Sequence, residues 1–354
     1  MCNQITAFAR RTVGKLPPWG WGVCCLLTVL GLMVTYQAYL HASRMEAAAI
    51  RMQFDREVDD AMEELRGQLH LHEQLLFAAA AMLERDPDTD HVAWQRFTQT
   101  IRLSERYAGT RGLGYVRWTP SSDLGKFESQ AQTGDGRIHA IYPEGMRLAY
   151  SPVALLQPLD DAHAKSLGFD VMSEPLRHSA LIKARDTGQA AMTAAVKLTC
   201  QDPGDENAAT VMYVPVYRAG MDRGTAQQRR LALQGWVFSP YVLGEFMAVV
   251  ARHAPDLMIQ VQDGAQAADA KTLYQARRAE LDAWDQYEPL FDVRRTLTVG
   301  QRDWSVRFVP LPSWGAGRVQ PMSRLHLLTG FILTFSGVGF LAFLIGHRAH
   351  ALRL

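Results

Sequence analysis

Two long apolar segments lie near the ends of the 354-residue chain, at residues 19–40 and 325–345. Neither contains a charged residue. Each is about 20 residues long, and a helix of that length crosses a bilayer core of roughly 30 Å. Only residues 346–354 follow the second segment. The pattern predicts two transmembrane helices that flank one large polar region, residues 41–324.

The polar region opens with a long helical pattern at residues 43–83, with one glycine and no proline. Its apolar residues recur at helical spacing along one stripe, and they are Ile50, Phe54, Val58, Met62, Leu65, Leu69, Leu76 and Leu83. Asp86-Pro87-Asp88 ends the pattern. We predict a stalk helix over residues 41–90 that continues the first span. Its stripe packs either on its own domain or against a second copy as a dimer seam.

The rest of the polar region predicts an α+β fold in two units. The first unit, residues 91–240, is predicted to hold a helix at 92–107, strands at 112–118 and 147–153, a helix from an N-cap at Ser173 to Gly188, a hairpin of 191–198 and 210–217, and a strand at 235–238. The second unit, residues 241–324, is predicted to hold a helix at 241–253, a strand at 257–261, loop and weak helix at 264–286, and a hairpin of 291–299 and 303–309 around Gly300-Gln301.

Charges beside the spans predict the orientation of the chain. The basic residues there are Arg10, Arg11, Lys15, Arg348 and Arg353, and neither tail contains an acid. Because lysine and arginine next to a span favour the cytoplasm, the tails at 1–18 and 346–354 are predicted to be cytoplasmic. Residues 41–324 are then extracytoplasmic, in a multi-pass inner-membrane protein. A cleaved signal peptide is the alternative for the first span, but its apolar part is normally shorter.

Candidate chemistry is sparse. The polar region is close to charge balance, which does not favour nucleic-acid binding. The sequence contains no nucleophile-elbow, HExxH, P-loop or CxxC pattern, and His163 and His178 lack the spacing of metal ligands. Cys200 is the one cysteine of this region, so the fold cannot depend on an internal disulfide. We predict no enzyme, no catalytic or metal site and no cofactor.

One run of motifs carries a family resemblance. It comprises residues 150–153 (YSPV), 167–175 (LGFDVMSEP), 180–188 (ALIKARDTG), 213–217 (YVPVY) and 235–237 (GWV). In this order they resemble the CHASE family, the extracytoplasmic sensor domains of bacterial sensor kinases and nucleotide cyclases and of plant cytokinin receptors. The resemblance implies a stalk helix that carries two PAS-like subdomains. The membrane-distal one, residues 91–240, would hold a ligand pocket, the membrane-proximal one is residues 241–324, and the stalk would form a homodimer.

By analogy with the family, the pocket wall is formed by Leu148, Tyr150, Val153, Leu167, Thr193 and Tyr213. Each of these is otherwise an ordinary core residue. In the plant receptors an acidic residue just before the Tyr-x-Pro-Val strand contacts the hormone. Arg147, Leu148 and Ala149 stand there in this chain, which does not favour a cytokinin-type ligand. Asp170, Arg185 and Asp186 form either a ligand-facing ion pair or, as we favour, helix caps and scaffold contacts.

Two functions fit this organisation. In the first, the protein is a sensor that binds a small ligand and signals across the membrane to a separate histidine kinase or diguanylate cyclase, because no such domain follows the second span. In the second, it is a ligand-free structural or interaction protein of the envelope. Small residues in both spans permit close helix packing, either with a partner or within the chain, and they are Thr28, Gly31, Thr35, Gly330, Ser336, Gly337 and Gly339.

Overall fold

The computed structural model describes residues 18–107, 109–125, 127, 140–198, 208–264, 271–276, 289–314 and 322–351. Residues 1–17 and 352–354 of the predicted tails, and Cys200 with its loop, lie outside these residues. The chain divides into two compact units. The sensor unit is residues 57–314, and the span unit is residues 1–56 together with 315–354.

Helices and strands alternate in a mixed order. The helices are α1 (Pro18–Arg85), α2 (His91–Thr100), α3 (Leu103–Arg106), α4 (Asp161–Ala164), α5 (Pro175–Thr187), α6 (Ala226–Ala232), α7 (Leu243–His253) and α8 (Met322–Ala351). The strands are β1 (Leu113–Arg117), β2 (Thr119–Pro120), β3 (Ala149–Tyr150), β4 (Val153–Gln157), β5 (Ala191–Met192), β6 (Ala209–Tyr217), β7 (Leu233–Val242), β8 (Leu257–Asp263), β9 (Lys271–Gln275), β10 (Val293–Val299) and β11 (Arg302–Pro310). The fold is therefore a mixture of helix and sheet, as the sequence predicts.

The sensor unit contains two antiparallel sheets. The first has the strand order β4-β1-β7-β6-β5, the second has the order β10-β11-β8-β9, and β2 pairs with β3. The core of the first sheet lies against α5, which contributes Ala180, Leu181 and Ala184. Trp236 of β7 is fully buried there, and its indole N–H donates to the Leu181 carbonyl at 3.0 Å. The first sheet and α5 thus share one core.

Helix α1 runs without a break from the first span into the stalk, as the pattern predicts, and ends at Arg85. Within the sensor unit its apolar stripe is buried, and the residues are Val58, Met62, Leu65, Leu69, Leu76 and Leu83. Glu57 accepts a hydrogen bond at 2.8 Å from the indole of Trp314, which follows the second sheet. Farther along, His72 contacts Tyr241 of the first sheet. This part of the stripe therefore packs on its own domain, while the dimer seam stays a prediction.

In the span unit, α8 packs beside the N-terminal part of α1. A methyl group added at Gly31 would clash with Thr334, and one added at Gly330 would clash with Thr35. The Glu46 carboxylate accepts hydrogen bonds from the backbone N–H and the hydroxyl of Ser323, at 2.7 and 2.8 Å. Both helices contain segments long and apolar enough to cross a membrane. Some of the small residues thus serve a contact within the chain.

The cap of α5 differs from its prediction. Glu174, rather than Ser173, is the N-cap residue. Its carboxylate accepts hydrogen bonds from the backbone N–H groups of Leu176 and Arg177, at 3.2 and 2.8 Å, while the Ser173 hydroxyl donates to the Asp170 carbonyl. The other end agrees with the prediction, because Gly188 closes the helix with φ 75°.

Three predicted strand or loop boundaries also differ. The predicted strand at 147–153 is split into β3 and β4. Between them, the backbone N–H of Ser151 donates a hydrogen bond to the Asp170 carboxylate instead of to a neighbouring strand. The strand at 191–198 is reduced to β5. Residues 264–286, predicted as loop and weak helix, contain β9, which pairs with β8; residues 265–270 and 277–286 lie outside the described residues.

The predicted hairpin around Gly300-Gln301 is present as β10 and β11. Both turn residues have positive φ, 50° and 60°, which is typical of a two-residue hairpin turn. The Gly300 carbonyl accepts a hydrogen bond from the Met192 N–H at 2.9 Å. The Gln301 amide donates at 2.9 Å to the Thr187 hydroxyl and to the Ala190 carbonyl. The turn of the second sheet is thereby attached to the C-terminal end of α5 and to β5.

Candidate ligand-binding site

A small cavity lies between the first sheet and the segment that leads into α5. Apolar side chains form most of its wall, and they are Val153, Leu156, Phe169, Val171, Leu198, Val211, Phe238 and Pro240. Polar side chains are contributed by His163, Ser166, Arg177 and Tyr213. Its volume is about 30 Å³, enough for one or two water molecules. Small-molecule sites are likewise mainly apolar with a few polar groups, but they usually enclose about 300–1,000 Å³.

Two of the six residues predicted for the pocket wall line this cavity, Val153 and Tyr213. Leu167 is fully buried in the core beside it. The Thr193 hydroxyl accepts the Val211 N–H at 3.0 Å and so holds the edge of β6. Tyr150 donates its hydroxyl to the Gly145 carbonyl at 2.9 Å, and Leu148 is almost fully exposed. Contact of any of the six with a ligand stays a prediction.

Arg177 lines the cavity but was not among the six residues predicted from the sequence. It is buried on the same face of α5 as Ala180, Leu181 and Ala184. One terminal nitrogen donates to the Lys197 carbonyl at 2.8 Å, and the guanidinium lies 5.3 Å from the centre of the Phe169 ring. A cation three residues before Ala180 on an otherwise apolar helix face is the sequence signal that could have found it.

Tyr213 is the second polar group of the wall. Burial raises the pKa of its phenol to about 12, against the opposing effect of the nearby Arg177 cation. The hydroxyl is therefore neutral at physiological pH and available as a hydrogen-bond donor. A buried cation and a neutral hydroxyl thus lie in the wall of the same apolar cavity.

His163 connects the cavity with a larger open groove. Its Nδ1 is 2.6 Å from the Asp160 carboxylate, and its backbone N–H donates to the same oxygen at 2.9 Å. The groove has a volume of about 570 Å³, and its other walls come mainly from polar residues of α2, α3 and the loop before β1. His163 and Asp160 both line this groove. The cavity and the groove therefore share His163 as a wall residue.

The acidic residues considered as a ligand-facing pair make scaffold contacts. Asp170 is fully buried and accepts hydrogen bonds from the N–H and the hydroxyl of Ser151, both at 2.9 Å. Asp186 lies 2.6 Å from Arg230 and 2.7 Å from Arg185. The hydrogen bond from Arg230 contributes most to lowering the pKa of Asp186 well below its usual range. Neither carboxylate lines the cavity.

Among the described residues, no group of three or more His, Cys, Asp or Glu side chains is arranged to hold a metal ion. The arrangement of Arg177, Tyr213 and the apolar wall instead suits reversible binding of a small organic molecule.

Two solved structures are distantly similar to the chain. The chain is similar to an extracellular ligand binding receptor from Desulfohalobium retbaense, with 11% identity and a TM-score of 0.46 over 73% of this chain and 40% of that one. It is also similar to a domain of a sensory box/GGDEF family protein from Vibrio parahaemolyticus, with 10% identity and a TM-score of 0.32 over 80% of this chain and 98% of that one. At these TM-scores neither likeness bears on function.

No curated protein matches the chain in sequence. A family model described as CHASE domain matches residues 87–274, more than half of the chain. The match confirms the resemblance carried by the motifs between residues 150 and 237. The chain therefore belongs to the CHASE family of extracytoplasmic sensor domains, and two helices able to cross a membrane flank that domain.

Proposed function

We propose that the protein is a membrane-anchored receptor whose extracytoplasmic region, residues 41–324, binds a small ligand in the cavity beside Arg177. The observation that carries this proposal is the cavity itself, an apolar space with a buried cation and a neutral hydroxyl in its wall. Its volume of about 30 Å³ means that all but the smallest ligands must displace lining side chains. Such a displacement is what a sensor requires, because a ligand shifts a conformational equilibrium only by binding one state better.

Helix α5 supports a route from the cavity to the second sheet. Arg177, near its start, lines the cavity, and Thr187, at its end, accepts a hydrogen bond from Gln301 at 2.9 Å. Lys183 donates to the Gln301 carbonyl. A small rotation or shift of α5 would therefore move the turn between β10 and β11. A coupling free energy of about 1–3 kcal/mol is enough to change ligand affinity between two states appreciably.

Helix α1 supports a second route, because it contacts both sheets of the sensor unit. Asp59 lies 3.7 Å from Arg295 of β10, and farther along α1 the His72 ring lies against Tyr241 of β7. The order of these contacts along α1 supports assigning residues 91–240 to the membrane-distal subdomain and residues 241–324 to the membrane-proximal one. Since α1 is continuous with the first span, a change in either sheet can bias the helix that enters the membrane.

The experiment is a thermal unfolding scan of the full chain in lipid nanodiscs, followed by tryptophan fluorescence, against fractionated metabolite pools. Binding to the folded state raises the unfolding temperature. Ser166→Phe places a large ring in the cavity wall and should abolish the shift. Ala164→Phe is the matched control, because Ala164 lies in the same segment but does not line the cavity. If no pool shifts the wild-type protein, the ligand-binding role is wrong.

The alternative is a ligand-free interaction protein of the envelope, and the small volume of the cavity is the observation that favours it. Crosslinking in membranes separates the two functions. A receptor should recover a histidine kinase or diguanylate cyclase, together with a second copy of this chain joined through the stalk. An interaction protein should recover another envelope component, and its unfolding temperature should not respond to metabolites.

A further inference from the structure

The buried guanidinium of Arg177 is unusual in its surroundings. The residue is only 9% exposed, and its neighbours on the buried face of α5 are apolar. Moving a cation from water into an apolar interior costs free energy unless a partner compensates the charge. An apolar side chain at this position in the cavity wall would be buried at a lower cost in free energy than the Arg177 cation.

The protein itself compensates this charge only in part. One terminal nitrogen donates to the Lys197 carbonyl, whereas the Nε–H of Arg177 has no hydrogen-bond partner among the described residues. The Glu174 carboxylate is 3.9 Å from Nε, too far for a hydrogen bond. Both of its oxygens are already engaged as the N-cap of α5. A guanidinium has five N–H donors, so Arg177 can still bind an acceptor.

Most of the cavity wall is apolar. It includes Val153, Leu156, Val211 and Phe238, and the neutral Tyr213 hydroxyl interacts with the Arg177 guanidinium. A ligand suited to this cavity has an anionic end that accepts hydrogen bonds and a short apolar body. A carboxylate matches the planar donor pattern of arginine. A phosphate dianion would leave one negative charge without a partner in an apolar space, which is costly.

We propose that the ligand is a small aliphatic carboxylate, whose anionic oxygens pair with the Arg177 guanidinium and whose short chain contacts the apolar wall. The inference rests on the proposed function, since it names the chemical class of the ligand for that cavity. The volume of about 30 Å³ favours a body of a few carbon atoms, because a longer body would have to displace more of the wall.

The test uses the full chain in nanodiscs with acetate, propionate and butyrate, each compared with its amide at the same concentration and ionic strength. The amides have nearly the same shape and no charge. One or more carboxylates should raise the unfolding temperature, and the matched amide and inorganic phosphate should not. If the amides act as strongly as the carboxylates, or phosphate acts and carboxylates do not, the carboxylate assignment is wrong. It is also wrong if none of the three carboxylates acts.

Two variants assign the effect to Arg177. Arg177→Gln removes the charge, and Arg177→Lys keeps the charge but loses the planar donor pattern; each should weaken carboxylate affinity by about 10- to 100-fold. Arg229→Lys is the matched control, because Arg229 also donates to backbone carbonyls, those of Asp186 and Arg223, and does not line the cavity. It should bind as the wild type does. Unchanged affinity in a folded Arg177 variant overturns the inference.

These outcomes separate the inference from the proposed function. A neutral compound from the metabolite pools that shifts the wild-type protein, with no response to carboxylates, leaves the receptor role intact and rejects the carboxylate. Absence of any response, to pools and to carboxylates alike, rejects both.

Discussion

His72 is a buried titratable residue inside an aromatic cluster. Its ring makes edge contacts with Tyr107, Tyr241 and Phe246, with ring centres 5.2–5.5 Å apart. Its Nδ1 is 2.7 Å from the Gln68 carbonyl of the preceding turn of α1. Burial is the main cause that lowers the pKa of the His72 imidazole below its ordinary value. The folded state therefore contains the neutral ring, which holds the stalk against β7 and α7.

Acidification should destabilise the sensor unit through His72. Because the pKa of His72 is lower in the folded state than in the unfolded chain, the unfolded state takes up the proton first. The free energy of unfolding should be at its full value above about pH 6.5 and fall as the pH is lowered from there. Urea unfolding of the full chain in nanodiscs at about pH 7.5 and about pH 5.5 measures the difference.

His70 offers the matched control, because it lies two residues away and is mostly exposed. His72→Gln should reduce the loss of stability between these two pH values, and His70→Gln should leave it unchanged. An equal loss in the wild type and in His72→Gln would show that another group is responsible.

Single residues also mark the limit of sequence reasoning. The role of Gly188 could be predicted, because a glycine after a helix with positive φ is a local feature. A cation on the apolar face of α5 could have drawn attention to Arg177, but its position in the cavity wall could not be predicted, since it depends on which side chains β4 and β6 bring to the cavity. Glu174 takes the cap predicted for Ser173 because Ser173 is engaged by the Asp170 carbonyl, a contact set by the preceding 3₁₀ turn.

At the scale of elements, α1 could be predicted because its helical pattern extends over many residues. The hairpin of β10 and β11 could be predicted because its two strands are joined by a two-residue turn. Short strands were less predictable. β5 has only two residues. Directly after it, the Thr193 hydroxyl accepts the hydrogen bond from the Val211 N–H of β6, and the regular backbone pairing ends there. β9 lies in a polar, alanine-rich segment and is a strand through its pairing with β8, which no local pattern indicates.

The contact between β1 and β7 depends on a glycine. Gly235 lies so close to the Val116 carbonyl and the Tyr115 ring that an added methyl group would clash with both. We expect Gly235→Ala to lower the free energy of unfolding by about 1–3 kcal/mol, because backbone atoms cannot move aside as a flexible side chain can. Gly67→Ala is the control, since Gly67 lies in α1 with open space around it. There the substitution should stabilise the helix by about 1 kcal/mol. Urea unfolding measures both, and equal destabilisation would contradict the steric argument.

The pairing of the two spans should depend on Gly31 and Gly330. We expect Gly330→Leu to separate α8 from α1, because Thr35 occupies the space that the new side chain needs. Gly337→Leu is the matched control in the same helix, where the added side chain meets open space. Crosslinking between cysteines introduced at Glu46 and Ser323, whose side chains contact each other at 2.8 Å across the two helices, in a variant without native cysteines, compares the two. Equal crosslinking in both would show that these glycines do not determine the pairing.

At the scale of the whole chain, two covalent connections join sensor and spans. One is α1, a single helix that contributes to both units. The other follows β11, which ends at Pro310, and leads to α8. On the proposed receptor function, a ligand-dependent change in the sensor unit would reach the two spans differently, through a continuous helix on one side and through the chain that follows a hairpin strand on the other. Such a difference is a physical basis for moving one span relative to the other.

This arrangement can work as a receptor only if residues 41–324 lie outside the cytoplasm. The basic residues of the tails predict that orientation. In a cysteine-free variant expressed in intact bacterial cells, a single cysteine replacing the fully exposed Met146 should react with a membrane-impermeant maleimide. A cysteine replacing His347, at the opposite end of α8 from Ser323, should react only after the cells are permeabilised.

The basic tail can be tested as the cause of this orientation. Replacing Arg10, Arg11 and Lys15 with Gln removes the charge bias before the first span, so the fraction of chains with Met146→Cys labelled from outside should fall. The matched control is Arg10→Lys, Arg11→Lys and Lys15→Arg, which keeps the charge of the tail and should leave the labelling unchanged. If His347→Cys were labelled in intact cells, in a chain with the unaltered N-terminal tail, the second tail would lie outside the cytoplasm. Helix α8 would then not cross the membrane in the direction that the receptor model requires.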